Sequence, residues 1–571
     1  MASFGESSLV VVAFDFGTTF SGYAFSFRND PLKVQTNGNW IAGSEKLMSL
    51  KTPTCLLLDQ HDNFHSFGFE AENKYTSLAE DGQHHGWRLF RRFKMMLHSN
   101  KKLSRGATVE DINQKSMPAL PVFAMSIRYL RDHFLKAVEK QTAGVEETDI
   151  QYVLTVPAIW DDSAKQFMRE AAIEAGIDPR RLKLAYEPEA ASIWCQIVTS
   201  DAKASLDRPG VRYMVVDLGG GTADISVHEK QANGTLKEIH KASGGPWGGI
   251  YVDDNYITML SEVFGTRAIE ELKREEMADY FDILREFETK KRTFSTKTKD
   301  KITFRISATL RELSDRFEGG TLKDRIGNLR YGSNLELRGS DKLRVDPLII
   351  SGWFDGPLNY LLRHVKELLR EPKMSDVSAV LLVGGFGESM YVQERLKSEI
   401  INKQIIVPAE AGLVVLKGAV RFGHEPDIVS ARIMQYTYGF RGRTPFNEDI
   451  HPESNLVIRD DKRKCKDAFI IVARAGDEID FGDQKTVGRD PGGNMEFTTF
   501  PIFRCPSPNP ILTTDRGCRQ IGLLKVYHPE GDTKFDKKMN VTFMFGDTEL
   551  LVKVTIRKTG KTFKLAIDCL E

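Results

Sequence analysis

The sequence predicts an α/β protein with two similar lobes, followed by a mostly β module. VVVAFDFGTTFSGYAF (10–25) and YMVVDLGGGTADISV (213–227) repeat one pattern: an apolar run, an Asp, a glycine turn ending in Thr, and alternating apolar residues. Helical and strand patterns alternate through the first 425 residues, which is typical of α/β folds. We therefore expect lobes at about 1–205 and 206–425 and a β module at 426–571.

In the first lobe, each segment carries its own signal. MSIRYLRDHFLKAVEKQ (125–141) has the apolar spacing of an amphipathic helix. YVLTVPAIW (152–160) predicts a strand that Pro157 stops, and DSAKQFMREAAIEAG (162–176) predicts a helix with an Asp cap that ends at Gly176. KLAYEPEAASIWCQIV (183–198) begins as a strand and is expected to turn helical after Pro188.

The later segments predict a change of class. SAVLLVGGFGES (378–389) reads as a buried strand entering a glycine turn. NVTFMFGDTELLVKVTIRKTGKTFKLAID (540–568) alternates apolar and polar residues across two turn signals, which predicts antiparallel strands. We expect no amphipathic helix after about residue 430, and the chain's end at Glu571 predicts that no helical lid follows the β module.

Composition limits the classes of function. Lys plus Arg and Asp plus Glu both number 79, which argues against general affinity for nucleic acid or anionic membranes. No apolar run approaches the roughly 18 residues of a membrane span, and the N-terminus lacks a signal-peptide pattern. We expect a cytoplasmic protein, and the basic cluster KRKCK (462–466) leaves the nucleus open. The scattered cysteines predict free thiols: Cys55, Cys195, Cys465, Cys505, Cys518 and Cys569.

The two repeated turns have the composition of a phosphate site. Glycine lets backbone N–H groups surround an anion closely, Thr hydroxyls can hold phosphate oxygens, and carboxylates can hold the waters of Mg²⁺. Either turn alone could be an ordinary hairpin, but the matched Asp and Thr positions favour a shared site. The candidate residues are Asp15, Gly17, Thr18 and Thr19 in the first turn, and Asp217, Gly219, Gly220, Gly221, Thr222 and Asp224 in the second.

Two further segments are candidates for the same site. LVGGFGES (382–389) places Gly384 and Gly385 in a third turn after a buried strand. FETKKRTFS (287–295) carries four polar residues at i, i+3, i+4 and i+7, which share one face if the segment is helical. The alternative is a solvated charge stripe. The four are Glu288, Lys291, Arg292 and Ser295.

Taken together and in this order, the motifs resemble one family. VVAFDFGTTFSGYAF, TVPAIWDDSAKQ, AYEPEAAS, VVDLGGGTADIS, ETKKRTFS, LLVGGFGES and PAEAGLVVLKGAV are similar to segments of the seventy-kilodalton heat-shock (DnaK-type) chaperones, over about residues 9–425. FKMMLH and the short C-terminal part look most like the divergent member-12 branch. The resemblance implies an actin-like ATPase domain of the actin/hexokinase superfamily, with a duplicated ribonuclease-H-like fold.

The resemblance also implies roles for matching positions. The cofactors are ATP or ADP with Mg²⁺, and Asp15 and Asp217 fall near the metal. Pro157 matches a proline switch that relays nucleotide state, with Lys165 where the family usually has Arg. The three glycine turns and the 288–295 face match nucleotide-holding positions. The residues matching catalytic positions are Asp15, Lys94, Glu187, Asp217 and Asp224.

The function implied is that of a slowly ATP-hydrolysing chaperone-like protein associated with the stress response, which couples nucleotide state to binding of unfolded or extended peptides, or of signalling proteins, at the β module. Nucleotide-exchange factors are further implied partners. Phe386 and Glu388 depart from the family, which has Ser and an adenine-stacking Arg there, and 422–440 lacks the usual acidic and leucine-rich linker. The missing linker argues against coupling between the domains, and Glu388 and the missing lid favour, as an alternative, a nucleotide-gated adaptor with little ATPase activity. A small-molecule kinase of the same superfamily is the third hypothesis.

Overall fold

The computed structural model alternates helices and strands as far as His424, and strands predominate after it. It describes residues 8–37, 40–42, 47–99, 103–142, 144–198, 206–459, 461–489, 496–528, 536–545, 548–566 and 569–570. The α-helices in these ranges are α1 Phe69–Glu80, α2 Met96–Ser99, α3 Ala119–Gln141, α4 Asp162–Glu174, α5 Glu187–Val198, α6 Ile250–Phe264, α7 Thr266–Glu275, α8 Met277–Thr293, α9 Ala308–Phe317, α10 Leu322–Asn328, α11 Pro347–Leu369, α12 Met390–Glu399 and α13 Val414–His424.

The strands of the described ranges form several separate sheets. In chain order they are β1 Val10–Phe16, β2 Phe20–Phe27, β3 Gln35–Thr36, β4 Trp40–Ala42, β5 Leu47–Ser49, β6 Thr52–Pro53, β7 Cys55–Leu58, β8 Phe64–Phe67, β9 Arg88–Arg91, β10 Thr108–Glu110, β11 Ser116–Pro118, β12 Ile150–Val156, β13 Leu182–Tyr186, β14 Arg212–Leu218, β15 Ala223–Lys230, β16 Leu236–Gly245, β17 Ile302–Arg305, β18 Leu335–Arg338, β19 Lys342–Val345, β20 Val377–Val383, β21 Gln404–Ile406, β22 Val429–Ile433, β23 Thr437–Pro445, β24 Leu456–Arg459, β25 Lys462–Ala473, β26 Glu478–Asp480, β27 Gln484–Arg489, β28 Phe497–Cys505, β29 Arg519–Tyr527, β30 Met539–Met544, β31 Leu551–Ile556 and β32 Thr562–Ala566.

The two largest sheets share one topological pattern. The first has the order β13-β12-β1-β2-β3, with β6 also paired to β2, and the second has the order β21-β20-β14-β15-β16-β22-β26. In each sheet an antiparallel hairpin, β1–β2 or β14–β15, lies beside two parallel strands. The sequence repeat therefore corresponds to a repeat in topology, with each glycine turn at the tip of its hairpin.

Two helices join the sheets into one body. α5 and α13 pack between them, and a single hydrophobic cluster contains residues of the helices and of both sheets, among them Val11, Val153, Val215 and Leu381. Gly418 of α13 lies so close to α5 that an added Cβ would meet the backbone of Ala190. This close packing sets the distance between the two hairpins.

After His424 the chain first extends the second sheet and then leaves it. β22 pairs in parallel with β16, and β26 returns to pair with β22. The remaining strands form a five-stranded sheet, β24-β25-β23-β28-β29, and a four-stranded sheet, β27-β30-β31-β32. These two sheets share a hydrophobic cluster that includes Phe440, Ile502, Val541 and Phe543.

Several local predictions are confirmed. α4 ends at Glu174, two residues before Gly176, and the Asp161 carboxylate caps it by accepting a hydrogen bond from the Ala164 N–H at 3.1 Å. β12 stops at Val156, immediately before Pro157. The helix expected over 125–141 begins earlier, at Ala119. All six cysteines are free, and among the described residues no helix is both long and apolar enough to cross a membrane.

Candidate functional site

The first glycine turn is held in place by Thr54, which lies between β6 and β7. Asp15 lies near the end of β1, opposite Gly22 of β2, and Gly17, Thr18 and Thr19 form the turn between these strands. The Thr54 hydroxyl donates to the Gly17 carbonyl at 2.7 Å, and the Thr54 N–H donates to the Thr19 carbonyl at 2.8 Å. These bonds fix the turn from one side.

The second turn rests on the start of α6. The N–H groups of Gly248, Gly249 and Ile250 donate to the carbonyls of Gly221, Gly219 and Gly220 at 3.2, 3.2 and 2.8 Å. In a trans peptide the N–H points opposite to the preceding carbonyl, so the N–H groups of Gly220, Gly221 and Thr222 point away from α6. A row of such N–H groups is the arrangement that binds an anion.

The two turns meet each other, and this contact requires glycine. A Cβ on Gly220 would lie 2.5 Å from the Thr19 hydroxyl, and one on Gly221 would lie 2.8 Å from the Thr18 hydroxyl. Both distances are shorter than van der Waals contact. The glycines therefore allow the Thr side chains of one hairpin to reach the backbone of the other.

The turns border a cavity of about 1560 Å³. Other residues of α1, α6, α8 and α13, of several strands and of the loops between elements complete its wall. The predicted residues that line it are Asp15, Gly17, Thr18, Thr19, Lys94, Glu187, Asp217, Gly219, Gly220, Gly221, Thr222, Glu288, Lys291, Arg292, Gly384 and Gly385. Asp224 lies buried behind the second turn, and Ser295 lies outside the lining.

Two of the predicted acids are paired with lysines. Lys51 Nζ lies 2.6 Å from Asp15 Oδ2, and Lys94 Nζ lies 3.2 Å from Glu187 Oε1. Burial raises the pKa of Asp15, but the charge and hydrogen bond of Lys51 outweigh it, so the net pKa is lowered. Burial dominates at Glu187 and raises its pKa against the opposing charge of Lys94.

The other two acids, Asp217 and Asp224, form no ion pair with a residue that the structure describes. Burial and then the neighbouring charge of Glu187 hold the pKa of Asp217 and of Asp224 well above its usual range. The Ala158 N–H donates to one oxygen of Asp224, and the other oxygen, Oδ1, is buried without a hydrogen-bond partner among the described residues. Carboxylates that raise one another's pKa in this way are a fit for a divalent cation, which would relieve their repulsion.

A second set of charges lines the side of the cavity formed by α8. Lys291 Nζ lies 2.6 Å from both Asp253 Oδ1 and Glu288 Oε2, and Arg292 Nε lies 2.7 Å from Glu288 Oε1. Burial raises the pKa of Glu288, but Lys291 and Arg292 outweigh it and lower the pKa to about 2. Glu288 is therefore ionised at neutral pH.

The expectation that all four residues of this segment share a helix face is wrong for Ser295. α8 ends at Thr293, because the extended Phe294 turns its ring into a stack with Phe354 and Tyr391. Ser295 then lies in the loop, with its hydroxyl 3.3 Å from that of Thr298. Burial of one aromatic side chain thus ended the helix earlier than the charge spacing predicted.

The third turn brings Glu388 to the same region. Gly384 has a φ of +84°, a left-handed conformation that favours glycine. The Glu388 Oε1 atom accepts a hydrogen bond from the Gly412 N–H at 2.9 Å, and Oε2 lies 3.4 Å from Arg292 Nη1. An ion pair therefore links α8 to the third turn across this end of the cavity.

Sequence reasoning missed three contributors to the site. Lys51 and Thr155 both contact Asp15, and Asp253 pairs with Lys291. Thr155 is the penultimate residue of a buried strand, a position that could have suggested it, since the carboxyl ends of strands in open α/β sheets border ligand sites. Nothing near Lys51 in the sequence distinguishes it from a surface lysine.

Comparison with known proteins agrees with this architecture. Residues 89–320 match the family model described as Hsp70 protein. The chain is 32% identical to human heat shock 70 kDa protein 12B, over 98% of this chain and 91% of that relative, and 30% identical to human heat shock 70 kDa protein 12A, over 99% and 92%. It is 25% identical to the chaperone protein DnaK of Metamycoplasma hominis, over 81% and 71%. The mixed α/β fold, the repeated glycine turns and these near full-length similarities show that the chain belongs to the Hsp70 family.

Proposed function

We propose that this protein binds Mg²⁺-ATP, hydrolyses it slowly, and couples its nucleotide state to the binding of extended peptides or partner proteins. The observation that carries the proposal is the contact between the two glycine turns beside Asp15, Glu187 and Asp217 in one cavity, with Asp224 buried behind the second turn. The cavity volume of about 1560 Å³ exceeds the roughly 300–1,000 Å³ of ordinary small-molecule pockets, so a nucleoside triphosphate has room in it.

The domain organisation is part of the proposal. We propose two lobes of an actin-like domain, at about 1–205 and 206–425, each built on one of the sheets that carry a glycine hairpin. Residues 426–571 would form a β-rich module for substrates or partners, and nucleotide-exchange factors would act on the lobes. The matched order of β13-β12-β1-β2 and β21-β20-β14-β15 supports the two lobes. The boundary at 425 is less sharp, because β22 and β26 of the later segment pair into the second sheet.

The phosphates would lie between the turns. The N–H groups after Gly219 and the hydroxyls of Thr18, Thr19 and Thr222 would donate to their oxygens. Gly17 allows the first turn its tight shape. Because phosphoryl transfer depends mainly on positioning and charge neutralisation, these groups are the ones such a reaction needs.

The acids divide into two roles. Asp15 and Asp217 would hold the water ligands of the metal, which when bound supplies positive charge between the phosphates. Glu187 and Asp224 would orient the attacking water and accept its proton, which their raised pKa favours once the residue is ionised. Lys94, released from Glu187, would offset charge on the terminal phosphate.

The nucleoside would lie against α8 and the third turn. Glu288, Lys291 and Arg292 would contact its sugar and base, and Gly384 and Gly385 would let it approach the backbone. For Ser295 a role in binding requires the 294–298 loop to move toward the cavity, because its hydroxyl lies outside the lining.

One observation favours the alternative function of a nucleotide-gated adaptor with little ATPase activity. Position 388 holds an acidic residue that pairs with Arg292, so it supplies no cation to stack on the nucleotide base. The loss of such a cation–π contact costs on the order of 1 kcal/mol of binding free energy. Weaker nucleotide binding would leave partner binding at the β module as the main activity.

The test measures Mg²⁺-ATP binding and single-turnover hydrolysis for the wild type and for the double variant Thr222→Ala with Asp224→Asn. We expect the wild type to hydrolyse bound ATP. The variant should hydrolyse it at least about 10²-fold more slowly, since it lacks the Thr222 hydroxyl that donates a hydrogen bond to the phosphate and the Asp224 carboxylate that accepts the proton. Thr142→Ala with Asp81→Asn, both exposed and outside the cavity lining, is the matched control and should behave as the wild type.

The remaining outcomes separate the two hypotheses. Binding without hydrolysis in either protein would support the adaptor. No binding of Mg²⁺-ATP at all would contradict both.

A further inference from the structure

Two histidines and a glutamate converge on the outside of the cavity wall. His84 and His85 lie in the loop between α1 and β9, and Glu275 is the last residue of α7. The Nε2 atoms of His84 and His85 lie 3.9 and 3.8 Å from Glu275 Oε2, and one potential ligand atom from each residue falls within 4.8 Å of the others. The two imidazole rings lie side by side, 4.2 Å apart.

The hydrogen bonds of His84 are incomplete. Its side chain is 3% exposed, and its Nε2 lies 3.1 Å from the Arg274 carbonyl, to which it donates. The other nitrogen, Nδ1, is buried without a partner among the described residues. A buried imidazole usually satisfies both nitrogens, so this ring is short of one interaction. The nitrogen that faces Glu275 is Nε2, so a metal bound there would replace the proton that Nε2 donates to the Arg274 carbonyl, and Nδ1 would then carry the proton.

The chemistry and geometry of the cluster select the class of cation. Two imidazole nitrogens and one carboxylate oxygen suit Zn²⁺ and its neighbours rather than Mg²⁺ or Ca²⁺, which prefer oxygen. Zinc bonds of about 2.0–2.1 Å place tetrahedral ligand atoms roughly 3.3 Å apart, so each Nε2 atom, at 3.9 and 3.8 Å from Glu275 Oε2, must approach that oxygen by about 0.5 Å. His85 is 67% and Glu275 34% exposed at the side chain, and both can rotate to do so.

The cluster joins two segments that lie far apart in the sequence and that both line the cavity wall. α1 contributes Phe69 and Glu72 to the lining, and α8, which follows Glu275 directly, contributes Asp279 to Arg292. The same two segments meet in a small hydrophobic cluster that includes Tyr75, Leu89, Met277 and Phe281. A bond between the His84–His85 loop and the end of α7 would therefore tie these walls together.

We propose that His84, His85 and Glu275 bind a Zn²⁺ ion, with water completing the shell, and that the bound metal clamps the two walls and slows opening of the cavity. The proposal that the protein binds a metal depends only on the geometry of these three residues. Its effect on the release of a nucleotide rests on the proposed function.

The first experiment measures metal binding directly. The full chain without a histidine tag is titrated with Zn²⁺ in competition with a chromophoric chelator. We expect one site that His85→Ala or Glu275→Gln weakens by about tenfold or more. These two variants are chosen because their side chains are partly exposed, which limits the risk to folding. The controls are His61→Ala and Glu276→Gln, at exposed positions, which should bind as the wild type.

The second experiment measures the clamp. Release of a fluorescent ADP analogue should slow when Zn²⁺ is added to the wild type and should not respond in His85→Ala. Equal Zn²⁺ binding by the wild type and both ligand variants, or no binding by any, overturns the metal site. Binding with unchanged ADP release overturns the clamp. If the chain binds no nucleotide, the chelator titration still decides the metal site, and the failure belongs to the proposed function.

Discussion

A buried histidine makes the stability of this protein sensitive to acid. His228 of β15 is 1% exposed, its ring meets that of Tyr213 edge-on at 6.1 Å, and neither ring nitrogen has a hydrogen-bond partner among the described residues. Burial, and then the charge of Arg432, lower its pKa to about 3. The folded protein therefore keeps this imidazole neutral throughout the physiological range.

The sign of the pH dependence follows from the two states. The unfolded chain takes up a proton on this residue below its ordinary pKa of about 6.5, and the folded chain does not do so until about pH 3, so stability falls as the pH drops between these values. Between pH 7 and pH 5, we expect the free energy of unfolding of His228→Phe to fall by about 2 kcal/mol less than that of the wild type. Urea unfolding at both pH values measures this, with His61→Ala as the exposed control. Equal pH slopes for wild type and His228→Phe would contradict it.

The residues of the candidate site show what sequence can predict at this scale. Asp217 and its glycines were predicted because a strand, a turn and a carboxylate are contiguous in the chain. Lys51 was missed because its partner, Asp15, lies 36 residues away and only folding brings the two together. Ser295 was placed on a helix because the charge spacing carried no information about the burial of Phe294, which ends α8.

Among the elements, the approach of α13 to α5 gives a sharp test of packing. An alanine Cβ at Gly418 would collide with the backbone of Ala190, whereas Gly352 of α11 is exposed with nothing within 4 Å of its added Cβ. Both glycines are inside helices, so alanine improves the helix propensity of each by about 1 kcal/mol.

We therefore expect the same substitution to have opposite effects. Gly352→Ala should raise the melting temperature slightly. Gly418→Ala should lower it, because the collision exceeds the gain in propensity and moves α13 away from α5. Overpacking costs typically 1–3 kcal/mol. Thermal unfolding followed by circular dichroism compares the two variants. Similar shifts in both would show that α13 can move without cost.

Element type was predictable where the signal was local. The end of β12 depends on the adjacent Pro157, and the start of α4 depends on the adjacent Asp161. Both boundaries could therefore be predicted from neighbouring residues. The pairing of β22 with β16 was not predictable, since it joins Val429 to Leu236, which lies far earlier in the chain. Long-range pairing depends on the sheet already formed, and a single sequence does not report it.

For the whole molecule, one arginine links the C-terminal sheets to the start of α4. Arg504 of β28 lies 3.0 Å from Asp161 and 2.8 Å from Asp162, and its side chain is 6% exposed. Burial raises the pKa of Asp162, but Lys165 and Arg504 outweigh it and lower the pKa to about 2. Lys165 in turn reaches the Thr548 carbonyl at 3.2 Å.

Removal of this arginine should loosen the two parts of the chain. Arg504→Ala removes the cation beside Asp161 and one of the two cations beside Asp162. Because Lys165 still pairs with Asp162, we expect a cost below the 3–5 kcal/mol typical of a fully unpaired buried charge. We expect a lower melting temperature and faster proteolytic release of the C-terminal sheets, with exposed Arg516→Ala as the control. If Arg504→Ala digests at the wild-type rate, the ion pair does not hold the parts together.

The position of β22 and β26 also bears on where this molecule can be divided. β16 would otherwise present unpaired backbone groups at its Leu236 end, and strand edges of this kind recruit other chains into aggregates. β22 covers that end, and β26, which returns from beyond residue 477, covers β22 in turn. A fragment that stopped before Val429 would keep the cavity but expose this edge, so the part that folds without self-association extends past the last helix.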